Sequence, residues 1–119
     1  MADSTTVDEL VVTKLSEATS TALEAGRTES VELRSVSVTR ATLEPVWGAE
    51  ADRDGTEPDY CQNAHDIYVV SGTLGLELDD GARTEIAAGC AATIPPGHRG
   101  WTVGDERLVY LEFDPSEQP

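Results

Sequence analysis

Few residues in this 119-residue sequence have side chains that could bind a transition metal or attack a substrate. The imidazoles and thiols among them belong to two histidines, His65 and His98, and two cysteines, Cys61 and Cys90. Thiolate and imidazole together form a borderline-soft donor set, which suits Zn²⁺ first and Fe²⁺, Ni²⁺ or Cu²⁺ after it. No Ser/His/Asp set, phosphate-binding loop or carboxylate pair at acid–base spacing is discernible. Chemistry therefore depends on whether the fold brings these few side chains together.

Each of these residues also has an ordinary structural interpretation. A free cysteine is most often a small buried apolar residue, and His65 could be a partly exposed histidine at the start of a strand. His98 follows Pro-Pro-Gly and could cap that corner through a backbone hydrogen bond. A nucleophilic Cys61 activated by His65 is conceivable, but no residue that would orient the histidine is discernible. Cys90 is interpreted as structural, and both cysteines as thiols because no export signal is recognised.

The elements that must position these side chains are short strands separated by turns. Residues 67–81 predict a strand, a Ser-Gly break, an alternating strand and an Asp-Gly hairpin turn. Residues 89–101 predict a glycine turn, a short apolar strand and a Pro-Pro-Gly corner. The whole pattern predicts an all-β sandwich or barrel, with strands over 31–43, around Val69, and over 74–78, 83–87, 91–94, 101–103 and 107–113. Residues 9–25 fit either a loose helix or an irregular strand with a short helix.

Side-chain alternation predicts which residues of these strands are buried. Leu74, Leu76 and Leu78 should line one buried face, with Glu77 and Asp79 in water. Tyr68 is expected between the sheets or on the outer face, with the core favoured. Trp101, which shares strand parity with Val103, is predicted to pack in the core.

Length and composition predict one domain with an acidic surface. We expect a single domain over residues 9–113, with disordered tails at 1–8 and 114–119. The formal net charge is −15, from 23 acidic and eight basic residues. Such a composition suits a cytoplasm of very high salt, where ions screen self-repulsion; the alternative is an acidic protein of an ordinary cell. The charge argues against a nucleic acid or an anionic membrane as partner, and no apolar run has the length of a membrane span. We therefore expect a cytoplasmic protein.

Several short blocks, in order and at matching spacing, resemble the small single-domain cupins. Gly89, five residues, then Pro-x-Gly resembles the second cupin motif, and Gly72 lies where the first motif ends. Within the cupins, the sequence is similar to a subgroup with Cys-x-x-x-His and Ile-Pro-Pro-Gly-His motifs. The matching residues are Glu44, Pro45, Trp47, Cys61, Gln62, His65, Tyr68, Val69, Ser71, Gly72, Asp79 to Gly81, Ile94 to His98, Trp101 and Val103 to Glu106. The resemblance implies an antiparallel double-sheet β-barrel, or jelly roll.

The resemblance also implies a ligand set, with departures from the usual three histidines and one glutamate. Registration on Gly72 and Gly97 puts Asp59 and Cys61 at the two positions of the His-x-His pair. His65 falls at the glutamate position and Gly100 at the last histidine position. His98 lies two residues before position 100 and so on the same strand face. Cys61, His65 and His98 are thus the implied metal ligands, with Asp59 or a water in fourth place.

Other residues are expected around the barrel mouth. Trp47 is a candidate for a pocket lid or a dimer contact, and Trp101 lies just past the corner. Arg99 is the one cation near the mouth; it could meet a carboxylate ligand or form a surface salt bridge. Asp59 completes this expected pocket.

Two functions remain open at the level of sequence. The first is a small metal-binding cupin, with Zn²⁺ as the first metal expected, that binds and in the stronger form of the hypothesis also transforms a small organic molecule. The alternative is a metal-free cupin that acts as a ligand-binding, regulatory or protein-interaction module. Either could be a homodimer, since pairing protects the exposed strand edges of a short barrel.

Overall fold

The strands of this protein form two antiparallel sheets. The computed structural model describes residues 10–49 and 60–116. In these residues a 3₁₀ helix, Leu15–Glu17, precedes the strands. The strands are β1 (Ser20–Leu23), β2 (Gly26–Glu32), β3 (Val36–Leu43), β4 (His65–Ser71), β5 (Thr73–Leu78), β6 (Arg83–Ala87), β7 (Ala91–Ile94), β8 (His98–Thr102) and β9 (Leu108–Pro115).

A large and a small sheet face each other across the core. The six-stranded sheet has the order β1-β2-β3-β9-β4-β7, and the three-stranded sheet the order β6-β5-β8. The chain passes from one sheet to the other at Gly72, between β4 and β5, where φ is +78°. A β-carbon there would clash with the backbone of Arg107, so the corner requires glycine. The predicted all-β double-sheet fold is confirmed.

Alternating residues of both sheets supply the core. Leu43, Val69 and Leu108 are the largest fully buried side chains. Leu74 and Leu76 of β5 are buried with them, and Leu78 packs against the same cluster. Because successive side chains of a strand point to opposite faces, this alternation fixes the face of each neighbouring residue as well. The predicted leucine face of β5 is therefore confirmed.

Three expectations from the sequence differ from the structure. The predicted strand over 31–43 is two strands, β2 and β3, that pair with each other through a tight turn at residues 33–35. β9 continues through Pro115, into the predicted tail, because β3 pairs with it up to Val36. Tyr68 is 40% exposed rather than buried in the core, since it lies on the outer face of β4.

Glu77 is the fourth difference, and the most informative. The sequence predicted it in water, but it is only 9% exposed. On the outer face of β5 it accepts hydrogen bonds from Arg83, Arg99 and Tyr60. Alternation gave its face correctly, while its burial depends on charged partners from other segments.

The 3₁₀ helix followed by β1 matches the second of the two forms expected for residues 9–25. In the part of the chain that the structure describes, no helix is long and apolar enough to cross a membrane.

Candidate metal centre

Cys61, His65 and His98 come together between the two sheets. Each offers one ligand atom, and these atoms all lie within 4.8 Å of one another. The Cys61 Sγ is 3.7 Å from the His65 Nε2, and the two imidazole rings meet edge to face with centroids 5.0 Å apart. Residues separated by up to 37 positions thus present a thiol and two imidazoles to one point.

Backbone pairing places Cys61 beside His98. The two residues form an isolated antiparallel bridge. The Cys61 N–H donates to the His98 carbonyl at 2.6 Å, and the Gly97 N–H donates to the Cys61 carbonyl at 2.7 Å. Gly97 has φ of +86°, so the Pro-Pro-Gly corner turns the chain into β8 with His98 as its first residue. The predicted corner therefore positions a candidate ligand directly.

His65 reaches the cluster from the opposite sheet. It is the first residue of β4 and pairs with Ile94, the last residue of β7. Its side chain shares the inner face with Ile67 and Val69, which are both buried. The candidate centre therefore connects the six-stranded sheet, through His65, to the three-stranded sheet, through His98.

Both imidazoles are held at their Nδ1 atoms. The His98 Nδ1 lies 2.7 Å from the Pro95 carbonyl oxygen, to which it donates. The His65 Nδ1 makes a short contact with the Glu112 carboxylate. A histidine that donates its Nδ1–H to such an acceptor keeps the lone pair on Nε2, which is the arrangement that orients histidine ligands around metals. The donor set and its supporting acceptors therefore fit a divalent transition metal.

The same contacts shift the pKa values of the cluster. A hydrogen bond from the backbone of Asn63, followed by one from His65, lowers the pKa of Cys61 below its ordinary value. Burial alone would lower the pKa of His65, but hydrogen bonds to Glu112 and to Cys61 outweigh it and raise that pKa. The pair is thus inclined toward thiolate and imidazolium when no metal is present.

Two residues of β9 belong to this site and were not found from the sequence. Glu112 touches His65, and the side chain of Tyr110 is partly buried nearby, where desolvation and the negative charges of Glu112 and Cys61 raise its pKa to about 12. Leu108, Tyr110 and Glu112 alternate along β9 on the inner face. Glu112 lies an even number of residues after Leu108, so strand alternation places its carboxylate on the buried face. That spacing was the signal that could have identified Glu112.

Arg99 and Trp101 lie on the outer face of the small sheet, and the prediction that they line the same pocket is wrong. On β8 they alternate with His98, which faces inward. The Arg99 guanidinium donates to Glu77 at 2.9 Å, as in the salt-bridge alternative. The indole of Trp101 lies against Gly75, where a β-carbon would clash with it. Trp101 lines a surface cleft with Arg83 and Val103 instead.

The remaining predicted pocket residues have different positions. Trp47 packs against the hydrophobic core, and its ring lies 3.5 Å from where a β-carbon on Gly100 would be. It therefore fills the space beside the position that cupin registration gives to the last histidine. Asp59 lies outside the described residues.

No protein-family model matches the chain, and no curated protein matches it. Among solved structures, an S161A mutant of Bacillus subtilis oxalate decarboxylase is similar with a TM-score of 0.64 and 23% identity, over 87% of this chain and 29% of that one. A formate complex of Lactobacillus farciminis oxalate decarboxylase has a TM-score of 0.61 and 20% identity, over 87% and 32% of the two chains. A structure of the Bacillus subtilis enzyme that concerns its Mn(II) centres has a TM-score of 0.61 and 20% identity, over 88% and 29%.

These similarities establish the fold. The chain spans about a third of the length of the oxalate decarboxylases that it matches. This protein therefore has the jelly-roll fold that was expected of a cupin-type domain. The likeness carries the fold alone, so function must be argued from the residues of this chain.

Proposed function

We propose that this protein is a small metal-binding cupin in which Cys61, His65 and His98 hold a divalent transition metal. The observation that carries the proposal is the convergence of their three ligand atoms within 4.8 Å. Support comes from the Nδ1 contacts of both imidazoles with Glu112 and Pro95, because oriented histidines are typical of metal sites.

The donor types favour zinc over the manganese named for the similar oxalate decarboxylase structure. Manganese suits carboxylate, carbonyl and water ligands, whereas a thiolate with two imidazoles suits Zn²⁺. Fe²⁺, Ni²⁺ and Cu²⁺ are the next candidates. The departure from the usual cupin ligands therefore leads us to expect a change of metal.

Three protein donors are the number found in catalytic zinc sites, which keep a fourth position for water or substrate. We infer that a small organic molecule with an oxygen or nitrogen donor binds there. A metal in this position would act as a Lewis acid toward that donor. Of the protein's own groups, Glu112 would hold the proton on the His65 Nδ1, and the Tyr110 hydroxyl would remain protonated at neutral pH.

A second function, without metal, is favoured by one observation. Cys61, His65 and Glu112 form a thiol–imidazole–carboxylate series, in which Glu112 orients the histidine next to the sulfur. That is the orienting group which the sequence did not reveal, and the lowered pKa of Cys61 also suits a nucleophile. A thiol nucleophile requires Cys61 and His65 but has no use for His98, and this difference separates the two functions.

Elemental analysis of untagged protein tests the proposal. We expect about one transition metal per chain, with zinc first. Cys61→Ser, His65→Ala and His98→Ala should each lose the metal, because each removes a third of the donor set. Cys90→Ser is the matched control and should keep it, since Cys90 is exposed and lies outside the cluster.

Alkylation of metal-free protein tests the second function. If the wild type contains no metal and cannot be loaded with Zn²⁺, Fe²⁺, Ni²⁺ or Cu²⁺, the metal proposal is wrong. Faster reaction of Cys61 than of Cys90 with iodoacetamide, lost in His65→Ala and kept in His98→Ala, would then support the nucleophile. A protein with neither property would act as a metal-free binding module.

A further inference from the structure

The outer face of the six-stranded sheet carries an apolar surface that the proposed metal site does not use. Cross-strand pairs place Val31 opposite Val38 and Val38 opposite Phe113. In the adjoining row, Tyr68 of β4 pairs with Leu111 of β9 and with Ala91 of β7. Paired residues share a face, so these side chains form a surface that crosses five strands; we call it the apolar face. Its members are Val31, Val38, Tyr68, Ala91, Leu111 and Phe113.

Large side chains of the apolar face lie in water. Tyr68 is 40% exposed and Phe113 is 36% exposed, on neighbouring strands. Val70, in the β-bulge beside Val69, is 48% exposed next to them. Exposed apolar side chains scattered singly need no explanation, but a contiguous group on a flat sheet marks an interaction surface.

Among the residues that the structure describes, the charges beside the apolar face cancel, although the chain carries −15. At one end, Glu29 is held by Arg27 and Arg40 at 3.0 and 3.2 Å. Arg40 pairs with Leu111, which places this ion cluster on the same face. At the other end, Asp66 accepts a hydrogen bond from Thr93 at 2.7 Å. The two arginines and the two acids cancel.

We propose that a second copy of this chain covers the apolar face, giving a homodimer in which the six-stranded sheets pack against each other. Two chains of charge −15 repel at most approaches, and a neutral face is where that repulsion is smallest. An apolar surface is also complementary to itself, as an isologous two-fold interface requires. A basic partner would instead be drawn to the acidic parts of the chain.

The outer face of the sheet, of which the apolar face is part, is large enough for such a dimer. Five strands about 4.8 Å apart and about seven residues long span roughly 20 by 23 Å. The accessible area of side chains exceeds this projection of roughly 450 Å² and approaches the ~600–1,000 Å² per partner of stable interfaces. The dimer does not depend on the metal site, which lies on the inner faces of the sheets.

Sedimentation velocity, with light scattering after gel filtration, tests the dimer. We expect the wild type at twice the chain mass at micromolar concentration in molar KCl. Tyr68→Asp and Phe113→Asp should each shift it to the monomer mass, because each places two new charges in the contact. Both residues are exposed in the single chain, so the fold should persist, as circular dichroism would show. Val46→Asp is the control; Val46 is 68% exposed in the loop after β3 and should leave the dimer intact.

Several results would overturn the proposal. A monomeric wild type at high salt would do so, and so would a dimer that both sheet variants leave unchanged. A monomer in which hydroxyl-radical labelling spares Tyr68 and Phe113 would show that another part of the chain covers the apolar face. A monomer in which both side chains are labelled would show that the apolar face is open to solvent.

Discussion

The chemistry of the candidate centre depends on how single atoms of His65 are used. Its Nε2 faces the Cys61 sulfur at 3.7 Å, while its Nδ1 contacts Glu112. Glu112 has two opposing effects on metal binding. It orients the ring and increases its basicity, which strengthens a metal bond, and it helps to raise the pKa of His65, which strengthens competition from protons.

Glu112→Gln separates these effects. The glutamine oxygen can still accept the Nδ1–H, so the ring should keep its orientation, but the pKa of His65 should fall with the loss of the charge. Metal binding needs neutral imidazole, so affinity falls as pH drops; in the wild type this fall should begin above the ~6.5 of free histidine. In Glu112→Gln the fall in metal affinity should begin at a lower pH than in the wild type. At high pH, where both proteins are fully deprotonated at the site, the variant should bind the metal about 10–100-fold more weakly.

Zinc dissociation constants measured from about pH 6 to 9 check this prediction. The plot of log Kd against pH should flatten at a lower pH in Glu112→Gln than in the wild type. Glu85→Gln, on the exposed strand β6, should reproduce the wild-type curve. Superimposable curves for the wild type and Glu112→Gln would show that Glu112 does not act on His65.

At the scale of elements, the segment that carries Cys61 contacts both the inner and the outer face of the three-stranded sheet. Cys61 and His98 pair through their backbones and face inward. Their neighbours, Tyr60 and Arg99, face outward and both bond to Glu77, at 3.0 and 2.9 Å. Glu77 thus ties the cysteine segment to β8 on the side opposite the candidate metal.

Tyr60→Phe tests this attachment, on the premise that the metal site exists. We expect metal affinity to fall about tenfold, the lower end of the effect of supporting groups on a metal site, because the Cys61 segment loses its outer anchor. Arg83→Gln is the matched control: Arg83 also donates to Glu77, at 2.9 Å, but lies on β6, which carries no ligand.

Cobalt titration distinguishes the two variants, since the sulfur-to-cobalt charge-transfer band reports the thiolate bond itself. Tyr60→Phe should require more Co²⁺ to develop this band, while Arg83→Gln should follow the wild type. Equal changes in both variants would show that the Glu77 cluster stabilises the fold in general and does not position the Cys61 segment. A wild type that develops no such band would instead contradict the metal proposal.

The sequence predicted those parts of the molecule that depend on local pattern. Alternation gave the leucine face of β5, and the Pro-Pro-Gly motif gave the corner directly before His98, the residue that pairs with Cys61. Registration on cupin motifs predicted that Cys61, His65 and His98 meet. Glu112 and the burial of Glu77 escaped prediction because each depends on partners outside its own strand: Glu112 on His65, and Glu77 on Tyr60, Arg83 and Arg99. Arg99 was misplaced for a simpler reason, since strand parity with His98 already put it on the outer face.

At the scale of the whole molecule, the dominant quantity is the net charge of −15 on 119 residues. The described ion pairs, such as Glu29 with Arg40 and Glu44 with Arg107, use several of the eight basic residues. Most of the 23 acids therefore have no basic residue left to pair with. Their mutual repulsion is larger in the compact native state than in the expanded unfolded chain, and it opposes folding wherever ions do not screen it.

Stability should therefore rise with salt. The screening length falls from about 30 Å at 0.01 M ionic strength to about 3 Å at 1 M, which removes repulsion between all but neighbouring carboxylates. We expect the melting temperature to increase steadily from dilute buffer to molar KCl, measured by circular dichroism. Because salt would also favour the proposed dimer, the same series on Tyr68→Asp isolates the effect on the single chain. Sucrose is the control, because it stabilises proteins by exclusion from their surface and does not screen charges. It should raise the melting temperature of both proteins. A flat or falling KCl curve in both proteins would mean that the acidic surface is not an adaptation to high salt.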